Sequence, residues 1–106
     1  MVKGFGGLMR QAQLMKKKMS KLNEELENQL VEGNAGHGQV KVKATCGIKI
    51  KSVEIDPNVV NLEDIETMED LITIATNDAI DKAQKVKENK MDKITGGLSG
   101  KLPGLI

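Results

Sequence analysis

The 106-residue chain is long enough for one domain, and its single aromatic residue, Phe5, leaves aliphatic and methionine side chains to form the core. Such a core is small, so association with a second copy is an expected source of stability. The lone Cys46 excludes an intramolecular disulfide, and no apolar run approaches the roughly 18 residues of a membrane span, which predicts a cytoplasmic protein.

The formal net charge is only +1, but the charges are segregated along the chain. Residues 1–23 contain six basic and no acidic residues, and they carry +6. Residues 24–81 contain four lysines and 13 acidic residues, and residues 82–106 contain six lysines and two acidic residues, which gives −9 and +4. Two basic ends on an acidic middle predict an anionic partner that binds at the ends.

Residues 1–28 are predicted to form a basic helix. The apolar residues are spaced alternately by four and three, as in a coiled-coil heptad, and this seam predicts a dimer or core contact. The seam consists of Leu8, Ala12, Met15, Met19, Leu22 and Leu26. The basic residues lie off the seam, and they are Lys3, Arg10, Lys16, Lys17, Lys18 and Lys21. The alternative interpretation of these lysines is an ordinary solvated helix face.

Residues 29–56 are predicted to form a three-stranded antiparallel meander. Residues 29–32 are expected to be a short strand, residues 33–38 a flexible glycine-rich turn, and residues 39–46 a strand with alternating apolar and polar side chains. In the third strand the alternation changes parity across Lys51 and Ser52, which indicates either a β-bulge or a strand covered on both faces. A helix or a second copy must cover the apolar face of such a sheet.

Residues 61–95 are predicted to contain a loop at 61–66 and then a second long helix, with Thr67 as its N-cap. Its apolar stripe loosens after Val86, so the last turns are expected to project beyond the core. The second basic set lies in this part of the helix and consists of Lys82, Lys85, Lys87, Lys90 and Lys93. Residues 96–106 are rich in glycine and contain a proline, and they are predicted to form a flexible tail.

Residue types and spacings in the chain do not favour catalysis or metal binding. His37 and Cys46 are the only residues of their types, too few for a zinc site within one chain. The segment GNAGHG lacks the Gly-Lys-Ser/Thr ending of a phosphate-binding loop, and the acidic residues lack the pattern of a calcium loop. We therefore expect no catalytic residue, cofactor, metal or small-molecule substrate, and no membrane partner.

The composition also restricts the kind of anionic partner. Single-stranded nucleic acid is usually held by stacking bases on aromatic side chains, and here only Phe5 is available. Duplex DNA needs no aromatic residue, because lysines bind its phosphates and release condensed counterions. With one arginine among 16 basic residues, phosphate contacts are favoured over bidentate guanine recognition.

Five segments in order along the chain resemble the YbaB/EbfC family of nucleoid-associated proteins. They are GLMRQAQLMKKKM at 7–19, VEGNAGHGQVKV at 31–42, SVEIDP at 52–57, MEDLITIATNDA at 68–79 and KITGGL at 93–98. The resemblance implies an α+β fold in an intertwined homodimer, with the long helices protruding as arms. It also implies association with the bacterial nucleoid and DNA binding that alters DNA conformation or gene expression. The arm residues would be the two basic sets given above.

Two functions remain open on the sequence. The first is a homodimeric protein that binds double-stranded DNA through lysine contacts to phosphates. The alternative is a dimeric structural or adaptor protein, in which the helical seam and the methionine-rich surface bind another protein while the lysines keep it soluble.

Overall fold

The computed structural model describes the backbone of residues 2–95 and the side chains of residues 6–94. Two long helices flank a three-stranded sheet, in the order helix, three strands, helix. The elements are α1 (Val2–Asn28), β1 (Leu30–Ala35), β2 (Val40–Thr45), β3 (Lys49–Ile55), a short 3-10 turn (Pro57–Val59) and α2 (Ile65–Thr95). The predicted α+β fold is confirmed, and the predicted tail at 96–106 lies outside the described residues.

The sheet is antiparallel with the strand order β1-β2-β3, as expected for a meander. Lys43 pairs with Ser52 while its neighbour Ala44 pairs with Ile50, so Lys51 is an extra residue on β3. The parity change in the sequence is therefore a β-bulge, and the bulge keeps apolar β3 residues on one face before and after it.

The first strand is longer than the sequence predicted, because it continues through the expected turn as far as Ala35. Residues 33–35 pair with β2, and Gly33 is required inside the strand because α2 approaches closely: a Cβ there would lie 2.8 Å from Ala79 Cα and would also collide with Ala75 O and Ala79 N. Gly33 is thus a packing glycine, and the turn itself is confined to residues 36–39, where His37 has a φ of 56°.

The larger core cluster lies between α2 and the first two strands. Ala75 and Ala79 on α2 pack against the apolar face of the sheet, where Val40 and Val42 are fully buried. On β3, Ile50 and Val53 share this face by register, yet they are 40% and 44% exposed. The helix therefore covers β1 and β2 and leaves part of β3 uncovered.

A second core cluster joins α1 to the end of α2. Leu22, Leu26 and Cys46 are buried in it, with Met91 and Ile94 packed against them. The expectation that α2 projects beyond the core after Val86 is therefore wrong. The apolar stripe shifts around the helix because the neighbour changes from the sheet to α1.

The start of α2 also differs from the prediction, because the helix begins at Ile65, inside the predicted loop and ahead of the predicted N-cap Thr67. Asp64 caps it: the carboxylate accepts from Thr67 N at 3.3 Å and from Thr67 Oγ1 at 2.7 Å. Thr67 is therefore the third residue of the helix, and Asp64 takes the N-cap position that the sequence assigned to Thr67.

Candidate nucleic-acid interface

The heptad seam of α1 divides into two parts. Leu22 and Leu26 are buried against α2, and Met19 is half-buried. The remaining seam residues, Leu8, Ala12 and Met15, are exposed, as is every residue from 6 to 18. Residues 6–18 of α1 thus present both their basic and their apolar side chains to solvent in the single chain.

Three basic residues of α1 share one side of the helix. Arg10, Lys17 and Lys21 follow one another at spacings of seven and four, which keeps them on one side of a helix with 3.6 residues per turn. Lys16 and Lys17 line a hollow with Lys21, and Gln13, Ser20 and Glu24 complete its wall. The side chain of Lys3 lies outside the described residues.

Lysines from both helices meet where α1 passes the end of α2. The groove between them encloses about 350 Å³, and Leu22 and Ile94 contribute its apolar lining. Its charged residues are Lys18, Lys21 and Glu25 from α1 and Lys90 and Lys93 from α2. We call this set the basic groove; it combines residues that are about 70 positions apart in the sequence.

Lys90 is held by contacts within the protein. Its ammonium group donates a hydrogen bond to Gln29 Oε1 at 2.5 Å and lies 4.0 Å from a carboxylate oxygen of Glu25. Lys21 and Glu25 are one turn apart on α1, and Gln29 directly follows the end of the helix, where its backbone N–H donates to the Glu25 carbonyl at 3.0 Å. Glu25 and Gln29 were missed by the sequence analysis, although the spacing of Glu25 from Lys21 indicates a shared face.

Lys82 is also engaged within the protein, at the outer edge of β1. Its ammonium group lies 3.0 Å from Asp78 Oδ2 and donates to the Glu32 carbonyl at 2.9 Å. The same Asp78 oxygen accepts from the Asn34 backbone N–H at 2.9 Å. The Asn34 N–H and the Lys82 ammonium lower the pKa of Asp78 below its ordinary value of 3.8. Asp78 and Lys82 thus occupy backbone groups that an edge strand otherwise offers to another strand.

The remaining basic residues of α2 are not gathered in the basic groove. Lys85 is exposed and Lys87 is half-buried. Of the predicted set, the structure therefore brings Lys18, Lys21, Lys90 and Lys93 together and places Lys82 at the sheet edge.

The two residues considered for catalysis lie in different parts of the fold. His37 is exposed in the β1–β2 turn, while Cys46 is fully buried beside Leu22 and Leu26. Burial raises the pKa of the Cys46 thiol, and the charge of Lys90 partly opposes this rise. Within the described part of the chain, no three His, Cys, Asp or Glu side chains are grouped to hold a metal ion. No helix among the same residues is long and apolar enough to cross a membrane.

The fold and the basic groove define a class of small α+β proteins that carry a lysine-rich surface on two adjoining helices. The sequence profile of the YbaB/EbfC DNA-binding family matches residues 2–98. The chain belongs to this family.

Named relatives agree with this assignment, and a solved structure has a similar fold. A nucleoid-associated protein of Ruminiclostridium cellulolyticum is 45% identical over 106 aligned residues, which cover 96% of this chain and 91% of the relative. One from Dictyoglomus turgidum is 46% identical over 90 residues, covering 85% of this chain and 86% of the relative. The crystal structure of an uncharacterised Helicobacter pylori protein superposes with a TM-score of 0.71 at 26% identity, covering 86% of this chain and 92% of that one.

Proposed function

We propose that this protein is a nucleoid-associated, homodimeric protein that binds duplex DNA through lysine contacts to phosphates. The observation that carries the proposal is the meeting of Lys18 and Lys21 with Lys90 and Lys93 in one groove. Charge of one sign gathered from two separate helices attracts a polyanion more strongly than either helix alone. The family membership supports DNA as that polyanion, and the names of the relatives support the nucleoid as its location.

The side chains available favour phosphate contacts over base recognition. Lysine ammonium groups bind phosphates as point charges, whereas specific guanine contacts are made most often by the planar fork of arginine. Arg10 is the single arginine, and it lies on the exposed half of α1. We therefore expect weak sequence preference, with bound DNA lying along α1 and the basic groove.

Exposed apolar side chains support the homodimer. Leu8, in the exposed part of the α1 seam, is 66% exposed, and Ile50 and Val53 are uncovered on β3. A second copy that covers one of these surfaces would enlarge a core that is small in the single chain. Each dimer would then present two sets of basic residues to DNA.

The test is a variant in which Lys16, Lys17, Lys18 and Lys21 are replaced by Gln. We expect duplex binding, followed by fluorescence anisotropy at low salt, to weaken at least tenfold, because four phosphate contacts are removed. The matched control replaces the four sheet lysines Lys41, Lys43, Lys49 and Lys51 by Gln, which changes the net charge equally. Equal losses in the two variants would contradict a specific role for α1.

The second candidate function is a dimeric adaptor that binds another protein. The observation in its favour is the exposure of Leu8, Met9, Leu14 and Met15, which give α1 an apolar and adaptable surface. An adaptor retains its protein partner in the Gln variant of α1 and loses it when Leu8 and Met15 are replaced by Ser. A DNA-binding protein instead loses affinity for duplex DNA in the Gln variant of α1.

A further inference from the structure

One acidic residue lies among the four lysines of the basic groove. Glu25 lines the groove together with Lys18, Lys21, Lys90 and Lys93, and its carboxylate is 4.0 Å from the Lys90 ammonium. The neighbouring hollow, of about 520 Å³, is also lined by Glu25 and Lys90, with Gln29 beside them. The Glu25 carboxylate thus lies on the surface that a phosphate would approach.

The ion pair with Lys90 is weak enough to be exchanged. The side chain of Glu25 is 53% exposed and that of Lys90 is 32% exposed, so solvent screens much of their attraction. Exposed pairs of this kind contribute little to stability. A DNA phosphate that reaches Lys90 must nevertheless displace Glu25 and approach its negative charge.

Gln29 strengthens this arrangement because it adds a hydrogen bond to the same ammonium group. Gln29 follows the last residue of α1 and its backbone N–H donates to the Glu25 carbonyl, so the two side chains together hold Lys90 against the end of α1. In the protein without DNA, Lys90 therefore already has an intramolecular acceptor and an intramolecular counter-ion.

We propose that Glu25 is an internal competitor for phosphate that lowers the affinity of the basic groove for DNA. This inference rests on the proposed duplex binding and adds a residue that sets its strength. Glu25 holds Lys90 in the unbound protein and is displaced when DNA binds. Weak, exchangeable binding follows from this competition, and the competition acts through Lys90.

The experiment compares duplex binding of the wild type, Glu25→Gln and Glu27→Gln by anisotropy at low salt. Glu27 is an exposed α1 residue outside the groove lining, so its replacement makes the same charge change at another site. We expect Glu25→Gln to tighten binding about fivefold, the factor corresponding to unit charges about 4 Å apart in water. Glu27→Gln should change the affinity by less than about twofold, because salt screens a more distant charge.

A second pair of variants tests the route through Lys90. In a Lys90→Gln background, Glu25→Gln should tighten binding by less than about twofold, because the ammonium group with which Glu25 pairs is absent. Thermal unfolding of each variant separates this effect from a structural one, since a residue that only supports the fold lowers the melting temperature without tightening DNA binding.

Three outcomes would overturn the proposal. Equal tightening by Glu25→Gln and Glu27→Gln would assign the effect to net charge alone. Unchanged or weaker DNA binding by Glu25→Gln would show that Glu25 does not compete with phosphate. If the wild type and all variants fail to bind duplex DNA, the proposed function is wrong and this inference fails with it.

Discussion

Gly33 shows how a single residue type is misleading when only the sequence is known. In GNAGHG it is the first of three closely spaced glycines, and such a cluster predicts a turn. The structure places Gly33 inside β1, against the backbone of Ala75 and Ala79. Close approach of a distant helix is a tertiary property, so local sequence rules do not contain it.

Replacing Gly33 with Ala should lower the free energy of unfolding by about 3 kcal/mol or more, because the added Cβ meets backbone atoms that have no room to move. Gly47→Ala is the matched control, since a Cβ there meets Glu27 Cγ at 3.4 Å and Thr45 Oγ1 at 3.5 Å. Urea unfolding followed by circular dichroism measures both. A Gly33 variant as stable as the Gly47 variant would contradict the packing of α2 on β1.

Asp78 predicts a specific dependence of stability on pH. The pKa of its carboxyl is lowered in the folded protein, so the contribution to stability is complete above the unfolded value of about 3.8 and is lost as pH falls through the folded pKa. We expect Asp78→Asn to destabilise the protein at pH 7 and to lose this difference from the wild type as pH falls below 3.8. Urea unfolding across this range tests it, with Asp81→Asn as a control for the loss of one charge. A difference that grows with acidity would contradict the assignment.

At the scale of elements, the sequence predicted the order of helices and strands, and a β-bulge near Lys51 was one of its two interpretations of the third strand. These features arise from local periodicity, which the chain displays clearly. The packing of Met91 and Ile94 on α1 was not predicted, because the stripe of α2 was interpreted against one partner, the sheet. Because α2 packs first on the sheet and then on α1, it has two apolar stripes, and the point at which one stripe replaces the other is visible only in the fold.

The meeting of lysines in the basic groove also belongs to this scale. Charge segregation predicted two basic helical segments, and this much was available from composition. Their contact depends on the antiparallel passage of α1 across the end of α2, where Lys18 and Lys21 lie beside Lys93 and Lys90. The hydrogen bond from Lys82 to the edge of β1 also depends on how the elements pack, so the sequence did not predict it.

The uncovered part of β3 provides a test of the proposed homodimer. Val53→Asp places a charge on the apolar face that α2 leaves exposed, and we expect it to shift the protein from dimer to monomer in sedimentation experiments. Ser52→Asp is the control, because the same charge then lies on the opposite face of the strand. A dimer that tolerates Val53→Asp would exclude this face from the subunit interface.

For the whole molecule, the segregation of charge in the sequence becomes a separation in space. The structure extends 73 Å along its long axis. Residues 2–17 of α1 span about 24 Å beyond the contact with α2, and residues 65–93 span about 43 Å in the other direction. The basic start of α1 and the acidic start of α2 therefore lie near opposite ends, which directs a polyanion to the α1 end.

The salt dependence of duplex DNA binding tests this account most directly. If about six phosphates are neutralised by lysines, the logarithm of the association constant should fall against the logarithm of the salt concentration with a slope near −5. The measurement is an anisotropy titration on protein of known oligomeric state. Binding with that slope supports phosphate contact by the basic helices. A slope near zero, or no binding of duplex DNA even at low salt, would contradict it.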